Sequence, residues 1–129
     1  MRKIKFRFWD GKNKYMDDDF FIHSSGRVCD YASRTYDTPN IEVDFYEEEI
    51  AVMQFTGLKD KNGVDIYEGD ILGGSGFKWA VKWFEDGGFM ADIKGSRTYS
   101  LARTIEKRIT AGVPMELIGN IHENPELLK

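Results

Sequence analysis

MQFTGLKDKNGVDIYEGDIL, residues 53–72, sets three turn signals in one short stretch: Thr56-Gly57, the run Asp60-Lys61-Asn62-Gly63, and Glu68-Gly69-Asp70. Between them stand apolar pieces, Val52-Met53 with Phe55, then Ile66-Tyr67, then Ile71-Leu72, so the backbone reverses repeatedly while its apolar side chains converge. This is a compact β-corner. Asn62-Gly63 is the strongest hairpin signal in the chain, because both residue types tolerate the positive φ of a primed turn. Gly69 meets a similar backbone demand just before a strand over 70–72. Such a corner specifies a fold element and no chemistry.

Downstream, Gly73-Gly74-Ser75-Gly76 looks like a phosphate cradle, since glycines let backbone amides approach an anion. A P-loop, however, needs a Lys-Ser/Thr pair opening a helix, whereas FKWAVKW at 77–83 continues with strand alternation, so a hairpin loop is the better reading. Trp79, Val81 and Trp83 share one face of that strand, with Lys78, Ala80 and Lys82 on the other. Asp86-Gly87-Gly88 turns the chain back into Phe89, Ala91 and Ile93. Lysines interleaved with aromatics suit a single-strand nucleic-acid platform. Core packing is favoured, because the tryptophans share their face with Val81. A strand is expected over 98–101, and Leu101, Ile105 and Ile109 predict a short amphipathic helix over 101–109, broken by Ala111-Gly112-Val113-Pro114. Residues 115–121 read as the last strand. Asn124-Pro125 supplies an N-cap and first helical residue for a terminal turn whose leucines, Leu127 and Leu128, tuck inward.

Upstream, a strand over 50–55 feeds the corner. At the start of the chain Ile4, Phe6 and Phe8 alternate with Lys5, Arg7 and Trp9, which predicts a strand with one buried face. Asp10-Gly11 reverses it and Tyr15-Met16 begins the returning arm. Phe20-Phe21-Ile22 forms another short strand, ended by Ser24-Ser25-Gly26. Arg27-Val28-Cys29 carries a weaker strand pattern, residues 30–40 read as a polar loop, and Ile41, Val43 and Phe45 alternate in a strand whose other face is acidic. Glu47-Glu48-Glu49 is expected in water, although with Asp44 it would suit a basic partner.

The 129 residues fit one domain with a core of its own. Net charge of −4 and pI near 5.2 give no general pull toward nucleic acid. The N-terminal Lys and Arg residues would serve as a basic arm only against the repulsion of Asp17-Asp18-Asp19. Those aspartates are not read as a metal site, since neighbouring side chains on a strand point to opposite faces and the EF-hand spacing is absent. Cys29 is the only cysteine, so there is no intrachain disulfide and no cysteine-based zinc set within one chain. The N-terminus lacks an apolar signal core and no apolar run approaches the roughly 20 residues of a membrane helix. A soluble, cytoplasmic protein with no membrane partner is expected. His23 beside Ser24 and Ser25, and His122 beside Glu123, form no recognisable nucleophile or metal-ligand motif. An Asp60–Asp70 hydrolytic pair is conceivable, but turn stabilisation accounts for both residues. No catalytic, cofactor-binding or metal-binding residue is therefore assigned, no cofactor is expected, and the chain is read as no enzyme.

The segments KFRFWD with Met16 following, MQFTGLKDKNGVDIYEGDIL, VKWFEDGGF and ELIGNIHENPELL together make the chain similar to the YopX family of bacteriophage and prophage proteins. The resemblance covers about half the chain; residues 17–50 and 94–114 depart from it. It implies a mainly β protein, with β-rich α+β as the variant, built on an SH3-like β-barrel with an added N-terminal hairpin and a short helix near 101–109, a single domain over 1–129 whose N-terminal β subdomain (about 1–50) packs on the barrel (about 51–129). It further implies a phage or prophage origin in a bacterial host cell and a homo-oligomer, and brings no catalytic residues. Gly57, Gly63, Gly69, Asp70, Gly119, Asn120 and Pro125 are read as turn and cap positions. The expected function is that of an accessory protein that binds itself or a host or phage protein. The alternative is a nucleic-acid-binding barrel using Lys78, Lys82 and neighbouring aromatics.

Overall fold

The computed structural model describes residues 3–11, 14–18, 21–22, 28–31, 42–44, 50–93 and 96–129. They form a mainly β protein of curled antiparallel sheets with one short α-helix. Contacts divide the chain into two compact units, Phe6–Val52 and Met1–Lys5 with Met53–Lys129.

In the first unit, β1 (Phe6–Asp10) and β2 (Tyr15–Asp17) make an antiparallel hairpin with Trp9 opposite Met16. The Phe8 and Tyr15 rings meet edge to face at 5.9 Å. The simple alternation expected here fails: Phe8, Trp9 and Asp10 are buried in succession, while Ile4 is exposed. A strand covered on both faces loses its period-two signal. β3 (Phe21–Ile22), β4 (Val28–Tyr31) and β5 (Glu42–Asp44) form a three-stranded antiparallel sheet in that order. Asp30 and Tyr31, expected in a loop, extend β4 because they pair with Val43 and Glu42. The Ser24-Ser25-Gly26 turn, the remainder of the polar loop and Glu47-Glu48-Glu49 lie outside the described residues.

The second unit holds the β-corner. β6 (Ile50–Lys59) enters it at Met53 and pairs with β7 (Asp65–Tyr67), with Phe55 opposite Tyr67 and their rings 5.6 Å apart. Thr56-Gly57 is no turn. The strand runs through it as a bulge, where Gly57 takes φ +85°, the Thr56 hydroxyl donates to the Ile66 carbonyl and Leu58 N–H donates to Thr56 Oγ1. The hairpin predicted at Asn62-Gly63 is present, but of the pair only Gly63 takes positive φ. Gly63 N–H closes the turn on Asp60 O and Asp60 N–H pairs with Val64 O, a turn ending in a glycine bulge instead of a primed turn. A turn with both central φ values positive occurs at Ser75-Gly76 (φ 49° and 81°), joining β8 (Asp70–Gly74) to β9 (Phe77–Phe84). Gly73 and Gly74 therefore belong to a strand and not to the loop.

β10 (Gly88–Ile93), β11 (Ser96–Ser100) and β12 (Glu116–Asn120) complete a five-stranded antiparallel sheet of order β11-β10-β9-β8-β12. Ile66, Leu72, Trp79, Val81, Ala91, Leu101 and Met115 make its core. Each large apolar side chain fully buried there stabilises the fold by roughly 1.5–3 kcal/mol. Trp79, Ala80 and Val81 are buried consecutively, so the middle of β9 has no wet face. Trp83, expected inside, is 52% exposed; near the end of the strand it rests edge-on against its cross-strand partner Phe89 at 4.9 Å.

α1 (Leu101–Thr110) is capped at both ends. Ser100 Oγ accepts Arg103 N–H at 3.3 Å, and past the Ala111 cap Gly112 N–H and Val113 N–H donate to Ile109 O and Arg108 O, with Gly112 at φ +77°. Leu101 and Thr104 are buried and Ile105 packs on the core, whereas Ile109 is 59% exposed. A spacing of four overshoots the 3.6-residue turn, so a stripe at 101, 105 and 109 rotates by about 80° over two steps. The terminal turn is a 3-10 helix, Pro125–Leu128. Asn124 does not cap it with its side chain; Oδ1 instead accepts Asn120 N–H at 3.2 Å, and the two leucines are half-buried.

Candidate functional site

The β8–β9 hairpin, the start of β12 and the chain leaving α1 border a groove of about 530 Å³ in the second unit. Its floor is glycine. A Cβ on Gly73 would come within 3.1 Å of Ile118, and one on Gly74 within 3.3 Å of the Pro114 carbonyl oxygen, so these two residues allow the neighbouring walls to close in. Phe77 and Ile118 stand in the walls, both exposed, with Val113 and Pro114 beside them. Leaving Phe77 52% exposed forgoes much of the energy that burying its ring would give.

Lys61, Lys78 and Glu116 share this lining, and Arg108 stands beside it. Arg108 lies with its guanidinium carbon 5.1 Å from the Trp79 ring centre and 5.7 Å from that of Phe77, and donates through Nη2 to Gly74 O at 3.3 Å. Its Nε–H is buried without an acceptor among the described residues. Lys78 is exposed at the rim. Lys61 also lines the groove but is turned to Glu116, 3.5 Å away, which also accepts from Asn62 Nδ2 at 3.4 Å.

Asp60 anchors the edge of this site. Oδ1 accepts the Asn62 and Val64 N–H groups at 2.8 and 2.9 Å, and Oδ2 accepts Leu117 N–H at 2.9 Å, binding the corner hairpin to β12. Burial pushes its carboxyl pKa up, but the three backbone donors and the nearby Lys61 charge outweigh this and hold it below the ordinary value. Lys61 N–H donates to Met115 O at 3.1 Å, so the same hairpin covers the outer edge of β12 twice. Further along the hairpin, the Asp65 carboxylate lies between the Lys5 and Lys59 ammoniums. Hydrogen bonds from Lys5 and then Lys59 lower its pKa to about 2. Lys5 Nζ also sits 4.5 Å from the Phe55 ring centre, while Lys5 O accepts Phe55 N–H.

Of the residues singled out from sequence, Lys78 reaches the groove and Lys82 does not line it. Lys82 Nζ is 3.0 Å from the buried Asp92 carboxylate, Trp79 is buried under Arg108, and Trp83 is exposed without lining the groove. Asp70 is used inside its own turn, accepting Tyr67 N–H at 2.8 Å, as Asp60 is in its turn. Asn120 Oδ1 accepts the His122 and Glu123 N–H groups, and a Cβ on Gly119 would fall 2.6 Å from Asn124 Oδ1, so these positions carry turn duty. His23, Asp19 and the glutamate run lie outside the described residues. Among those described, no three His, Cys, Asp or Glu side chains gather as a metal-ligand set. No described helix is long and apolar enough to cross a membrane. Arg108, Phe77 and Ile118 carried no local motif; their meeting depends on strand pairing and on the direction in which α1 returns.

The chain is thus a strand-rich protein of antiparallel sheets whose second unit carries an apolar groove that Lys61, Lys78 and Glu116 also line. The chain belongs to the YopX family, whose model matches residues 5–129. It is similar to the protein EF1440 from Enterococcus faecalis, known from its crystal structure, at 29% identity and a TM-score of 0.66, with 100% of each chain covered. Comparison with curated proteins gave no match.

Proposed function

We propose that this chain is a phage- or prophage-encoded accessory protein that works without catalysis, as a cytoplasmic, SH3-like β module whose groove binds a protein segment. The observation that carries this reading is the exposed Phe77–Ile118 pair across a glycine-floored hollow. Apolar anchors in a concave site are where binding energy concentrates in protein recognition. Turn and cap duties occupy Asp60, Asp70 and Asn120, which supports a scaffold over a reaction centre. Self-association through the same module is included in the proposal, and light scattering on the purified chain measures it.

The test is selection from a random peptide library displayed against the immobilised chain. Sequences enriched on the wild type and lost on Phe77→Ser with Ile118→Ser support the groove; enrichment indifferent to both substitutions, or none, removes it. Nucleic-acid binding through Lys78 and Lys82 is less favoured, because Lys82 is paired with Asp92 and the Trp79 ring is covered.

A further inference from the structure

We infer that the partner segment is extended and acidic, with carboxylates alternating with apolar side chains; this rests on the groove reading above. The charges of the groove decide its sign. Glu116 faces Lys61 and the Asn62 amide, so in the charge balance of the groove it is offset by Lys61. Lys78 at the rim has no carboxylate opposite it among the described residues, and Arg108 has only carbonyl and ring neighbours there. Lys78 on the lining, with Arg108 beside it against Phe77 and Gly74, therefore leaves positive charge next to apolar walls.

The apolar half of the segment is set by Phe77 and Ile118, which leave no role for an all-polar polyanion. Phosphate-rich ligands would use the cations and waste the walls. An extended chain with alternating residues uses both, because successive side chains point to opposite sides and can meet the cations and the apolar lining in turn.

The probe is a fluorescein-labelled peptide of alternating Leu and Glu, read by anisotropy against the full chain, with Leu-Gln and Leu-Lys peptides and an oligo-dT of equal charge as comparisons. The Leu-Glu peptide is expected to bind best and to weaken with added salt. Lys78→Glu should weaken it by roughly tenfold, as reversal of a charge facing the ligand does. Glu116→Gln should tighten it by about threefold by releasing Lys61, a gain that misfolding cannot produce. Arg108→Gln should also weaken it; where that variant melts early, the Lys78 and Glu116 variants and the salt dependence carry the test. Equal binding of the Leu-Gln peptide overturns the acidic preference and leaves the groove reading standing. Preference for oligo-dT overturns the inference in favour of nucleic acid. No binding by any peptide overturns it too, and together with an empty library selection it removes the groove reading as well.

Discussion

At the scale of single residues, a few side chains hold backbone groups that would otherwise be orphaned. Asp60 satisfies three amides from two elements, so Asp60→Ala leaves three part-buried donors without their acceptor and should destabilise the protein by about 2 kcal/mol, read as a lower urea midpoint with an unchanged slope. Asp60→Asn should fall between, since one of its two acceptor oxygens is replaced by a donor. Gly69 sits at φ +86° with Met53 Sδ 3.1 Å from where a Cβ would stand, and its N–H and C=O pair with Val81 and Ile121. Gly69→Ala should therefore cost about 1–2 kcal/mol by the same measurement. These needs were legible in sequence for Gly69, where a turn signal precedes a strand. For Asp60 the turn duty was legible too, but not its third donor, Leu117, which is remote in the chain and brought near only by the fold.

At the scale of elements, the helix shows local signals acting together. Ser100 supplies the N-cap, and Gly112 the left-handed residue after the C-cap, so Ser100→Ala and Gly112→Ala should each cost about 1 kcal/mol. The two losses should add within experimental error in the double variant, because the ends share no partner; loss of additivity in urea melts would show the caps to be coupled. The expected helix and the observed one agree closely in extent, but its buried face includes Thr104 and not Ile109. Periodicity located the element, while the position of the core selected the face. In β6 the opposite happened. Thr56-Gly57 reads as a turn locally, and pairing with β7 on both sides of it converts the glycine into a bulge.

At the scale of the whole molecule, acid stability follows from Asp65. Its carboxyl has an ordinary value of 3.8 and titrates at about 2 in the folded chain, held there by Lys5 and Lys59. Between those values the unfolded chain binds more protons than the folded one, so this contribution is complete above 3.8 and is lost as the pH falls toward about 2. Asp60 acts in the same direction. Thermal melts from pH 5 to pH 2 should show a shallower acid decline in Asp65→Asn than in the wild type; an identical decline would show that the Lys5–Asp65–Lys59 cluster adds nothing to stability. The sequence by itself determined the strand-rich class, the hairpins at the Gly-containing turns and the helix limits, because turn chemistry and side-chain alternation act over a few residues. Tertiary structure alone decided that Trp83 faces out, that the middle of β9 is buried on both faces and that Phe77 and Ile118 line one groove with Arg108 beside Phe77. Those outcomes depend on which strands become neighbours and where the covering layer ends, and no local pattern records either.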